Sequence, residues 1–285
     1  MKQTLTGQVA IVTGANTGIG RITAIQLAKQ GVRVFLACRA EHKAQRVVDE
    51  INQLTGDAER AHFLPLDLGD LMSVRRAAQR FLATGLPLHI LVCNAGLAGQ
   101  KGVTASGFEL AFGTCHVGHF LLTKLLLERL KASAPARVVV VSSKAHRHAK
   151  GIDFATLREP TQSPGGLKEY AVAKLANLLF SRELASQLKG TGVDVFALHP
   201  GIVASDVWRA VPAVLRYLIR PFMVTPEQGA ATSVWCATAP ELSGQSGGYY
   251  EKCQVQSASP TAQDSALAHS LWQASEHWTC AFQQP

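Results

Sequence analysis

Tyr170 and Lys174 stand four residues apart in Tyr170-Ala171-Val172-Ala173-Lys174, so on a helix their side chains share one face. A tyrosine near its reference pKa of about 10 is a poor base at neutral pH, but an adjacent ammonium favours the phenolate and lowers that value. Such a pair can move a proton near physiological pH. Alone, the pattern is equally that of an amphipathic helix whose lysine stem lies along the surface. Ser142-Ser143, at the end of a valine-rich run, brings hydroxyls to the same region. One of the two can hydrogen-bond a substrate carbonyl, or both can be ordinary turn and cap residues.

A second group of residues can hold a dinucleotide. Gly14, Gly18 and Gly20, with Asn16, Thr17 and Ile19 between them, lie between an expected strand and an expected helix. Glycines there let the backbone turn tightly and approach a pyrophosphate, whose charge meets the free N–H groups of the helix N-terminus. The spacing is G-x-x-x-G-x-G, which differs from the G-x-G-x-x-G fingerprint, so a plain strand-helix turn remains an alternative. The second strand ends Leu36-Ala37-Cys38-Arg39 without a carboxylate. Arg39, joined by Lys43, favours the 2′-phosphate of NADP(H) over the free ribose hydroxyl of NAD(H), unless it is an ordinary surface arginine. Asp67 (with Leu68) after the third strand and Asn94-Ala95-Gly96 after the fourth are candidates for the adenine and ribose sides; as alternatives they are cap and turn residues.

The elements that must position these residues follow from the hydrophobic pattern. β-Branched runs at Val9-Thr13, Arg33-Cys38, Ala61-Leu66, His89-Cys93, Arg137-Ser142 and Asp194-Leu198 alternate with helical segments near Gly18-Gln30, Glu41-Leu54, Leu71-Ala83, Ser106-Leu130 and Leu167-Lys189. A helix near Glu227-Ala239, a last strand at Gly247-Tyr250 and a helical tail near Ala262-Ser275 follow. Alternation of this kind predicts one α/β domain over residues 1–285, a Rossmann-type doubly wound parallel sheet of about seven strands with helices on both faces. Val138-Val139-Val140-Val141 lacks polar alternation, as a strand buried on both faces should.

Hydrophobic residues make up 47% of the 285 residues, enough for a sizeable core. The net charge of +8 comes from basic residues scattered singly, so nucleic acid is not an expected partner. Six cysteines form no CxxC pair, and no secretory pattern precedes the first strand; a reducing cytoplasmic setting is expected, without disulfides. The longest aliphatic run, Val138 to Val141, is too short to span a bilayer, which leaves peripheral contact at most. His116 and His119 lack an acidic partner on their stretch and read as core histidines, His146-Arg147-His148 reads as a mobile basic loop, and His277 with Cys280 is too sparse for zinc; no metal is expected.

Thr13-Gly14-x-x-x-Gly18-x-Gly20, Asn94-Ala95-Gly96, Ser143, Tyr170-x-x-x-Lys174 and Pro200-Gly201 occur in an order and spacing that resembles the short-chain dehydrogenase/reductase family over nearly the whole chain. Leu36-Ala37-Cys38-Arg39, Gly118-His119-Phe120-Leu121-Leu122-Thr123, Lys174-Leu175-Ala176-Asn177 and Leu198-His199-Pro200-Gly201 look like its retinol dehydrogenase-like subgroup. The resemblance implies an NADP(H)-dependent oxidoreductase acting on alcohol or carbonyl groups. Tyr170 would be its acid/base, Ser143 would polarise the carbonyl, and Lys174 would hold the nicotinamide ribose. Pro200, Gly201 and Ile202 would pass the carboxamide, and Ser205 would stand beside the phosphates. It also implies that an insertion near 204–225, with Trp208 and Phe222, covers an apolar substrate such as a retinoid, lipid aldehyde or ketone. The same stretch, with its flanking arginines, also fits a helix packed on the core or a peripheral lipid contact. Pairing of the two long helices into a homodimer or homotetramer is a further implication. One position departs: Cys115 stands where the family usually has an asparagine in its proton relay, and a thiol hydrogen-bonds more weakly. The alternative reading is therefore a catalytically weakened dinucleotide-binding regulatory or scaffold protein.

Overall fold

The computed structural model describes residues 5–201 and 224–283. Ile202, Ser205, Trp208 and Phe222, and with them nearly all of the expected substrate-covering insertion, lie outside the described residues.

Seven strands are parallel neighbours in one sheet: β1 (Val9–Thr13), β2 (Arg33–Cys38), β3 (Ala61–Pro65), β4 (Ile90–Cys93), β5 (Ala136–Val141), β6 (Val193–His199) and β7 (Tyr249–Glu251). The two-residue β8 (Gln254–Val255) pairs antiparallel with β7, so among the described residues the sheet has eight strands where about seven were expected. Spatial order is β3-β2-β1-β4-β5-β6-β7-β8. The direction of winding reverses between β1 and β4, and at such a switch point the strand ends leave a crevice for ligands. All residues of β1 and β4 are buried, which is why their sequences are almost wholly apolar.

Helices α1 (Gly18–Lys29), α2 (Glu41–Thr55) and α6 (Pro226–Thr238) cover one face through residues such as Leu27, Val48 and Cys236. Helices α3 (Leu71–Ala83), α4 (Leu110–Ala132), α5 (Leu167–Gln187) and α7 (Ser265–Gln283) cover the other through Phe81, Phe120, Leu179 and Trp272. α4 begins at Leu110, later than the expected Ser106, because Glu109 caps it, its carboxylate accepting from Phe112 N at 2.7 Å. Ser106 serves another helix, accepting from Leu71 N at 2.9 Å at the start of α3. α4 is long and apolar enough to cross a membrane, yet 72% of its most apolar window is buried, as a core helix requires. Gly118 sets its depth: a Cβ there would stand 2.3 Å from the Leu68 carbonyl. Five residues of α4, Gly113–Val117, form a π-turn, which the 3.6-residue period does not foretell.

α7 runs beyond the expected tail and lies on the outer face of α4 and α5. Trp272 stacks on Phe180 at 6.0 Å, Trp278 meets Phe108 and Phe112 edge-on, and Lys124 pairs with Glu276 at 2.7 Å. Part of the surface through which the resemblance implied pairing of two subunits is thus covered by the chain itself.

Candidate active site

The C-terminal ends of the central strands open into one cleft of about 1250 Å³. Gly14, Asn16, Thr17, Gly18, Ile19, Gly20, Arg39, Lys43, Asp67, Leu68, Asn94, Ala95, Gly96, Ser143, Tyr170, Lys174, Pro200 and Gly201 all line it. These are all of the sequence-derived site residues that fall among the described residues. Residues from widely separated parts of the chain meet there because a parallel sheet delivers every strand end to the same edge.

At one end the chain turns out of β1 with φ +66° at Gly14 and +54° at Gly18, a conformation that disfavours side chains. Gly20 is needed for space: its Cβ would lie 2.4 Å from the Gly14 carbonyl and 2.5 Å from the Asn94 amide. Asn94 therefore braces the loop, donating to the Thr13 carbonyl at 2.8 Å, besides lining the cleft. The Thr13 hydroxyl accepts from the backbone N–H groups of Asn94 and Ala95, each at 2.9 Å. Gly14, Gly18 and Gly20 thus leave a backbone cradle at the N-terminus of α1 that fits a pyrophosphate. Arg39 and Lys43 reach the rim as exposed cations, with Arg39 Nη1 4.0 Å from Asp67 Oδ2. Asp67 spends its other oxygen on Gly69 N at 2.9 Å, as a turn residue does.

At the other end Ser142 and Ser143 separate. Ser142 is buried and donates to the Lys174 carbonyl at 2.7 Å, pinning α5 to β5. Ser143 is half-buried in the cleft wall, and its hydroxyl faces Tyr170 closely enough to favour the phenolate. Lys174 is buried, its ammonium donating to the Val141 carbonyl at 2.9 Å and lying 5.6 Å from the Tyr170 ring centroid. The expected depression of the Tyr170 pKa is not the net result: desolvation raises it above 10, outweighing the opposing charge of Lys174 and the Ser143 contact, while Cys115 adds to the rise. Cys115 Sγ and Lys174 Nζ each lie 3.3 Å from the point a Gly96 Cβ would occupy, so glycine is what lets both approach the cleft floor.

The histidine stretches resolve differently. His116 bonds Ser275 at 2.9 Å, and His119 bonds Thr13 and the Cys115 carbonyl, each at 2.8 Å, so both are hydrogen-bonded core residues. His146-Arg147-His148 is not a loose loop but part of a 3₁₀ turn, Lys144–His148. Buried His146 fastens it, with Nδ1 2.6 Å from the Ser143 carbonyl and Nε2 accepting from Ser259 N at 3.1 Å. No local pattern announces this role, because Ser259 is remote along the chain. Lys144, His148, Lys150, Leu167 and Lys168 also line the cleft and were not anticipated; nothing in their local pattern marks them.

Comparison with known proteins follows the same lines. The family model for short chain dehydrogenases matches residues 8–156. The chain is 46% identical over 277 residues to dehydrogenase/reductase SDR family member 13 of Bos taurus, covering 95% of this chain and 73% of that one. It is 46% identical over 274 residues to human retinol dehydrogenase 12, covering 95% and 86%. Among solved structures, a candidate NAD(P)-dependent gluconate 5-dehydrogenase from Beutenbergia cavernae with bound NADP superposes with a TM-score of 0.70 at 26% identity, covering 88% and 97%.

Proposed function

This chain belongs to the short chain dehydrogenase family, and from that premise we propose that it is an NADP(H)-dependent oxidoreductase acting on an apolar carbonyl or alcohol. The observation that carries the reading is a single cleft with a glycine cradle and exposed Arg39 at one end and Ser143, Tyr170 and Lys174 at the other. When bound, the dinucleotide supplies or accepts the hydride. Gly14 to Gly20 would hold its pyrophosphate, Arg39 and Lys43 its 2′-phosphate, and Asn94, Lys174, Pro200 and Gly201 its nicotinamide half.

In the reductive direction the Tyr170 hydroxyl donates the proton to the substrate oxygen, and in the oxidative direction its phenolate takes it back. Ser143 donates a second hydrogen bond to that oxygen. The Lys174 charge draws the Tyr170 pKa down against the desolvation that raises it. A retinoid, lipid aldehyde or ketone suits the apolar substrate class, in keeping with the name of the human relative.

The test is oxidation of NADPH and of NADH, followed at the reduced-nicotinamide absorbance, with a panel of apolar aldehydes and ketones. Turnover with NADPH, reduced by roughly 10²- to 10⁴-fold in Tyr170→Phe, is expected. Tight NADPH binding without turnover of any substrate favours the second reading, a dinucleotide-binding scaffold. That reading is supported by Cys115, whose thiol is a weak hydrogen-bonding group and, like the Lys174 ammonium, packs against Gly96.

A further inference from the structure

We propose that His119 is a positioning residue that ties the strand end beneath the dinucleotide cradle to the π-turn beside Lys174. The Thr13 hydroxyl has two acceptor sites and one proton. Both acceptor sites are engaged at 2.9 Å each, one by Ala95 N and one by Asn94 N, whose hydrogen is shared with the Val92 carbonyl at 3.0 Å. The hydroxyl proton must therefore go outward, and His119 Nε2, at 2.8 Å, is nearer than the Val92 carbonyl at 3.3 Å. An imidazole that accepts at Nε2 carries its proton on Nδ1, and Nδ1 lies 2.8 Å from the Cys115 carbonyl, which can only accept. The tautomer is fixed from both ends.

The resulting chain runs Asn94 and Ala95, Thr13, His119, Cys115. One end braces the loop whose glycines form the cradle; the other fixes the backbone of the residue whose thiol shares the Gly96 contact point with the Lys174 ammonium. A π-turn widens the helix at this place, Gly113–Val117, and such turns concentrate at functional sites. His119 is 1% exposed, so the ring has little room to find other partners.

Two substitutions divide the ring's functions. In His119→Asn the amide stands where Nδ1 was and keeps the bond to the Cys115 carbonyl while losing Thr13. NADPH affinity, read by energy transfer from protein tryptophan, should fall about tenfold with kcat at saturating NADPH near wild type. His119→Gln puts its amide where Nε2 was and keeps the Thr13 end. Here kcat should fall about tenfold with NADPH affinity retained. Parallel loss of both quantities in both variants, or no change in either, would overturn the proposal.

The proposal rests on reading the cleft as a dinucleotide site, and a second measurement is independent of that reading. Nitrogen NMR of the cofactor-free protein should find His119 as the Nδ1–H tautomer, unchanged in Thr13→Ser and altered in Thr13→Val. An Nε2–H tautomer, or shifts indifferent to Thr13→Val, would sink it even if the histidine variants fail to fold. Absence of NADPH binding with the tautomer intact would instead count against the reading of the cleft.

Discussion

Lys174 is held by Val141: its ammonium donates to that carbonyl at 2.9 Å, and Asn177 Nδ2 donates to the same oxygen at 3.1 Å. The cation is thus fixed by strand β5 and influences Tyr170 through its charge. Removing that charge leaves desolvation of Tyr170 unopposed by its main counterweight. Carbon NMR of labelled tyrosine in the cofactor-free protein should find Tyr170 titrating above 10, and higher still in Lys174→Met. A Tyr170 that titrates below the ordinary tyrosine value in the wild type contradicts the balance described.

Arg39 is exposed at the rim of the cleft, and its 4.0 Å approach to half-buried Asp67 is worth less than about 1 kcal/mol. The guanidinium is therefore free to turn to a phosphate. Arg39→Ala should raise the Kd for NADPH by about tenfold or more while leaving that for NADH within about twofold. Equal affinities for the two cofactors in both proteins would remove the NADP assignment.

Burial holds His116 neutral with its pKa lowered to about 3, aided by neighbouring His119, and lowers His119 to about 4, with Lys174 contributing. His199 is lowered to about 4 by burial, against the pull of Glu251. Unfolded histidine titrates near about 6.5, so as pH falls the unfolded chain takes up protons first. The stability these groups allow is intact above about pH 6.5 and is lost as pH falls toward about 4. The loss is roughly 1.4 kcal/mol per unit for each histidine. Urea midpoints measured across that range should fall steadily, and more gently in His116→Gln. A flat profile across that range would mean these rings are not held neutral.

Trp272 is buried where α7 crosses α4 and α5, stacked on Phe180 and beneath the Lys124 ammonium. Trp272→Ala should destabilise the fold by about 3–5 kcal/mol. Loosening of α7 should also make sedimentation concentration-dependent, as the apolar face beneath it seeks a partner. Unchanged stability would show that α7 is not integral to the core.

The sheet is legible in the sequence because its strands are apolar runs of strand length set between helical periods, and their order along the chain fixes how a doubly wound sheet is assembled. The cleft is legible where glycine, tyrosine, lysine and arginine stand at strand ends. What stays hidden depends on partners far along the chain: His146 with Ser259, Thr13 with His119, and the choice between Ser142 and Ser143, which only the bond to the Lys174 carbonyl decides. The sign of the Tyr170 shift escapes the sequence for the same reason. Helical spacing reveals the lysine four residues on, but the depth at which the phenol sits is set by the whole fold.

The position of α7 has a consequence for synthesis. Every strand of the sheet precedes it in the chain, so a growing polypeptide can pair β1 through β8 while the outer flank of α4 and α5 is still bare. Phe108, Phe112, Phe120 and Phe180 must wait for Trp272 and Trp278 to leave the ribosome. During that interval the nascent chain exposes the aromatic side chains that α7 later covers.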